Sequence, residues 1–235
     1  MKKVFAAAVL AFMAVFSAFS ADFNGARYDG IAKLGGQPID FWTVISFDNG
    51  KAVVNMANTT KFRGAYEQTT ADGKTTVTIT TTSGSKIVLT SSDDGASLVG
   101  KLSSFGKDYD VWVLKVSATQ TASTLPDSEL DAVVGSSDGY TAFVRVMMPN
   151  GALMSATSDF ALNADDHTFS MTCDSQGMQK IFGKMQGKYA VRDGKIIMTD
   201  SSGKVVEGTV YDNGKYVTVP MGKSSGLTLD LILIR

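Results

Sequence analysis

Phe41-Trp42-Thr43-Val44-Ile45-Ser46-Phe47-Asp48-Asn49-Gly50 is a run of strand-forming residues that ends in a tight turn. In an extended chain Phe41, Ile45 and Phe47 fall on one side, and Asp40, Trp42, Val44 and Ser46 on the other. One face is apolar and the other mixed. Asn-Gly suits the turn that follows, because both central residues of a type I′ hairpin turn need positive φ.

Moving outward, the same turn chemistry recurs at Asp72-Gly73, Asp94-Gly95, Asp138-Gly139, Asn150-Gly151, Asp193-Gly194 and Asn213-Gly214. Between these turns lie further strand-length runs, among them Thr75 to Ile79 and the strongly apolar Leu227 to Ile234. Short strands joined by regular turns predict an all-β fold made of antiparallel barrels or sandwiches. Helical spacing is rare. Asp127 to Val134, behind Pro126, is one candidate, and Ser175 to Met185 is a second, weakened by Gly177 and Gly183.

Internal similarity divides the chain. Trp42 to Gly50 aligns without gaps on Phe143 to Gly151, Gly64-Ala65-Tyr66 matches Gly187-Lys188-Tyr189, and Gly95 to Val116 overlays Gly214 to Arg235. Residues 152–186 then replace 51–63, an apparent insertion in the second copy. The expected organisation is a signal peptide over 1–20, a first barrel-like repeat over 21–117, a Ser/Thr-rich linker over 118–127 and a second repeat over 128–235. One large β structure with a shared core is the alternative.

Each copy runs hydrophobic strand, Asn-Gly hairpin, Gly-x-Tyr, Asp-Gly-Lys, further strands and a closing apolar strand. That order resembles the small bacterial lipocalin-like β-barrel domains, in two tandem diverged copies. The Gly-x-Trp near the first strand of lipocalins and their disulfide have no counterpart here. The resemblance implies a barrel whose lumen holds a small apolar molecule.

Lys2 and Lys3, the apolar run Val4 to Phe16, and Ser17-Ala18-Phe19-Ser20 have the order of an export signal cleaved after Ser20. The apolar run is shorter than the roughly 20 residues a spanning helix needs, so no membrane insertion is expected after cleavage. A periplasmic or secreted location follows. Without Lys2 and Lys3, 20 of the 22 basic side chains face 23 acidic ones, and no basic run offers nucleic acid a footprint. Cys173 is the only cysteine, which leaves no internal disulfide, and the commoner role of such a residue is buried packing.

Candidate chemistry is sparse. His167 is the only histidine, so Ser-His-Asp or Cys-His catalysis has one base to draw on, and a partly exposed residue after Asp165-Asp166 is the simpler reading. One His and one Cys are too few for a zinc site. No phosphate loop of the Gly-x4-Gly-Lys-Ser/Thr kind occurs. The sequence therefore points to a non-enzyme without metal or cofactor. Trp42, Trp112 and Phe143 are the nominated ligand-binding residues, since an aromatic ring on a mixed strand face can line a mouth or stack on a sugar. Core packing is the commoner fate of such residues. The leading expectation is an exported binding protein carrying a small apolar ligand in a barrel lumen. The alternative is a structural or cell-surface module that binds protein or glycan. An apolar cavity of roughly 300 Å3 or more favours carriage, and a filled barrel favours the interaction module.

Overall fold

The computed structural model describes residues 22–235 apart from 38, 105, 137–138, 175–178, 180–183 and 225. The export signal and most of the second helix candidate lie outside the described residues. Lys184 and Met185, at the end of that candidate, begin a strand instead.

Among the described residues the fold has sixteen strands, one α-helix and a single 3-10 turn at Asp212–Gly214. β1 (Arg27–Leu34), β2 (Asp40–Asp48), β3 (Lys51–Met56), β4 (Thr60–Ala71), β5 (Lys74–Thr81), β6 (Lys86–Ser91), β7 (Ser97–Ser104) and β8 (Lys107–Val116) come first. Each pairs antiparallel with the next, and β8 pairs back onto β1, closing an eight-stranded barrel. α1 (Asp127–Val134) follows, as the sequence predicts. Then come β9 (Thr141–Met147), β10 (Leu153–Asn163), β11 (Thr168–Cys173), β12 (Lys184–Arg192), β13 (Lys195–Asp200), β14 (Val205–Tyr211), β15 (Tyr216–Ser224) and β16 (Leu227–Ile234). These strands also pair in chain order, and β16 closes on β9. A short bridge, Met154 to Phe41 and Ser155 to Asp40, joins β10 to β2.

Alternation along each strand fills the interiors, as expected for a barrel of eight strands, whose lumen is just wide enough for side chains. Tyr28, Ile45, Phe47, Val54, Ile79, Leu89, Leu98 and Leu102 are among the residues that fill the first. Phe23, Tyr28, Phe47 and Tyr66 form an aromatic group there, with the Tyr28 hydroxyl donating to the Gly95 carbonyl at 3.0 Å. Val144, Val146, Phe169, Met171, Tyr189, Met198, Leu231 and Leu233 are among those that fill the second.

α1 closes one end of the second barrel. Leu130 and Val134 are buried in its core. Asp127 accepts the backbone N–H groups of Asp193 and Gly194, and Asp131 Oδ2 meets His167 Nε2 at 2.9 Å. Arg235 donates to the Val133 carbonyl at 2.7 Å and lies 4.3 Å over the Tyr140 ring. The segment read as a linker is also held: Ser123 N–H donates to the Val210 carbonyl and Asp212 N–H to the Thr121 carbonyl, both at 2.8 Å.

The internal alignment meets this geometry in part. Gly64 and Gly187 both lie on the fourth strand of a barrel, where a Cβ would collide with the facing Thr80 or Thr199 carbonyl. The first hairpins differ in place, being β2–β3 in one barrel and β9–β10 in the other. The described part of 152–186 carries β10 and β11, one strand more than 51–63, and the first barrel has its β1 before the hairpin instead. The gapless overlay of the last strands also fails on facing. Val111 and Val113 point into the first lumen, whereas their aligned partners Asp230 and Ile232 point outward from the second. A one-residue slip reverses every side chain of a strand, so that alignment needs a one-residue shift.

Candidate functional site

The outward faces of β1, β2 and β8 lie against those of β9, β15 and β16, and the nominated aromatic residues meet in this seam. The Phe143 ring is 5.7 Å from Trp42 and 5.7 Å from Trp112, in edge-on and tilted contacts. Ile31, Val116, Tyr216, Ile232 and Ile234 complete the cluster. Trp42 is 2% exposed and Phe143 0%. Neither ring faces a lumen, and neither offers free surface in this arrangement. Their contacts are those of packing between barrels.

Polar groups line the rim of the seam. Arg27 grips the buried Asp29 with two hydrogen bonds of 2.8 and 3.0 Å, and the Tyr216 hydroxyl of the other barrel approaches the same carboxylate at 3.4 Å. That bond to Asp29 raises the Arg27 pKa, against the opposing effect of burial. Tyr216 is raised mainly by burial and then by the Asp29 charge. Arg145 pairs with Asp230 at 2.8 Å and lies 5.6 Å from the Trp42 ring centre. Two open clefts flank the seam, one of about 340 Å3 beside Lys115, Lys215 and Tyr216, the other of about 360 Å3 beside Lys33, Asp40 and Asp174. Burial raises Asp40 even with Lys33 at 3.7 Å.

Outside the seam, a depression of about 480 Å3 opens where β10, β11, β12 and Ser201 meet. Asn163 and Thr168 serve the neighbouring turn, accepting from Asp165 N–H and donating to Asp166 respectively. Ser170, Gln186, Lys188 and Ser201 are exposed along the depression, over a floor that includes Phe169. Sequence reasoning passed over these residues because hydroxyl and amide side chains on an outer strand face carry no motif.

His167 sits in the β10–β11 turn with φ 53° and is half exposed, bonded to Asp131 and 5.3 Å from the Tyr189 ring. Cys173 points into the second barrel, fully buried, and burial pushes its thiol pKa up. The two therefore stand at different places in the fold. Among the described residues no cluster of three His, Cys, Asp or Glu side chains converges as a metal site. Comparison with protein-family models, curated proteins and solved structures found no match.

Proposed function

We propose that this chain is an exported, non-enzymatic interaction module that binds a glycan from its outer surface. The observation that carries this reading is the filling of both lumens by the protein's own large side chains. Closure removes free strand edges from both barrels, so edge pairing with a partner has no place to start among the described strands. The depression over β10–β12 remains. Its size falls within the usual range of ligand sites, about 300–1,000 Å3. Its exposed hydroxyl, amide and ammonium groups match the hydrogen-bonding groups of a sugar better than they match an apolar chain. The barrels themselves read as two diverged lipocalin-like units, supported by the equivalent placement of Gly64 and Gly187.

The test is a glycan array followed by titration of any hit. Replacing Gln186 and Lys188 together by Ala should weaken binding at least about 10-fold, the loss of 1.4 kcal/mol or more from two hydrogen-bonding groups, with no change in melting temperature. Undiminished binding by that variant rejects the depression as the site.

Carriage of a small apolar molecule in the second lumen is the other reading, favoured by Met171, Met185, Met198 and Met221 within it, because methionine repacks easily. Native mass spectrometry of the protein from its natural source separates the two. A bound apolar mass released on activation supports carriage, and a bare chain removes it.

A further inference from the structure

One small void in the second barrel is lined almost wholly by soft or apolar side chains. Phe169 on β11, Met185 on β12, Met198 on β13, Val206 on β14 and Met221 at the bulge of β15 surround about 10 Å3. Register explains the convergence. Met171 stands opposite Met185, and Met198 opposite Val206, so thioethers recur on the inner face of adjacent strands. The bulge between Pro220 and Gly222 places Met221 in the same ring.

Size and chemistry narrow the occupant. The void matches about one water-sized sphere, and its only polar side chains, Asp200 and Lys204, are already bonded to Ser202, the Lys204 N–H and the Met221 carbonyl. An organic ligand of several atoms is too large. Thioether sulfur is a ligand for soft monovalent ions and a poor one for zinc, magnesium or calcium. Counting His, Cys and carboxylates, as for a zinc or calcium site, does not reach such a site.

We propose that Met185, Met198 and Met221 form a three-sulfur site for a soft monovalent cation, Cu(I) or Ag(I). Asp200 supplies negative charge at the mouth. Its carboxylate accepts from Ser202 Oγ, Ser202 N–H and Lys204 N–H at 2.6, 2.8 and 3.0 Å, which fixes it in place. Lys204 opposes the ion. Its ammonium donates to the Met221 carbonyl at 2.9 Å and has to swing outward when the site fills. Replacing it with Gln should tighten binding.

The experiment titrates the purified exported chain with Ag(I), and with Cu(I) kept reduced by ascorbate, in competition with a Cu(I) chelator. Methyl-13C-methionine spectra report which thioethers shift, and X-ray absorption reports whether the first shell is sulfur alone. The expected result is one ion per chain, with shifts at these three methionines. Replacing all three by Leu conserves volume and should keep the fold, which the melting temperature checks. Affinity should then fall by more than about 100-fold, beyond the 10–100-fold typical of losing an outer-shell partner. Met198→Leu alone should show a smaller loss, and Cys173→Ser and the exposed pair Met147→Leu with Met148→Leu no change. Absence of uptake, survival of uptake in the triple variant, or its loss with Cys173→Ser overturns the proposal.

Discussion

Single residues show how burial sets both stability and chemistry. Tyr28 lies inside the first barrel, and burial, helped by the Asp94 charge, pushes its phenol from 10.0 up to about 12. The folded chain therefore keeps a proton that the unfolded chain releases near pH 10. Stability linked to this group is fully present below that pH and is lost as pH rises toward 12. Tyr140, also raised to about 12, and Tyr216 act in the same direction. Tyr28→Phe should cost about 1 kcal/mol at neutral pH, where it loses the bond to Gly95. The variant should also lose less stability than the parent between neutral and alkaline pH. Urea midpoints at both values check this, and parallel losses would count against a buried phenol.

At the scale of the strand, glycines decide where the barrel wall can bend. Gly64 on β4 and Gly187 on β12 let a neighbouring carbonyl pass where a side chain would collide with it. Each approach involves backbone on both sides, so a clash there cannot be relieved by a rotamer change. Gly64→Ala and Gly187→Ala should each destabilise the chain by about 1–3 kcal/mol, and by more if the strand pairing itself shifts. Gly50→Ala tests a different cause. No atom lies near a Cβ there, and only the φ of 73° is strained. Its cost should be nearer 1 kcal/mol. Similar urea midpoints for Gly187→Ala and the parent would show that the wall is looser than its geometry implies.

For the whole molecule, the seam decides whether two barrels behave as one body. Phe143 is fully buried between Trp42 and Trp112, and Asp29 of one barrel meets Tyr216 of the other. Removing the ring opens a cavity that rigid sheet faces cannot collapse to fill. Phe143→Ala should cost about 3–5 kcal/mol, and the single calorimetric transition expected of the parent should split into two. Two transitions in the parent itself would mean that the seam is too weak to couple the barrels.

Much of the architecture was readable in the sequence because its causes are local. Alternation such as Phe41 to Phe47 assigns inner and outer faces, Asn49-Gly50 demands a hairpin, and Pro126 ahead of Asp127 to Val134 marks the start of α1. These signals span a few residues and follow from backbone sterics. The one-residue offset between Val111 and Asp230 escaped because letter matches carry no information about which way a strand faces. The destinations of Trp42, Trp112 and Phe143 escaped as well, since a ring on a mixed face is open to a ligand or to another barrel until the second barrel is in place. The same holds for Met185, Met198 and Met221. They are separated along the chain, and only the closure of β12 to β15 around a common axis brings their side chains to one void. Sequence alone determined strands, turns and inner faces, through forces acting between near neighbours. Tertiary structure alone decided which outer faces were covered and which side chains converged, because those depend on barrel closure and on the contact of two closed sheets.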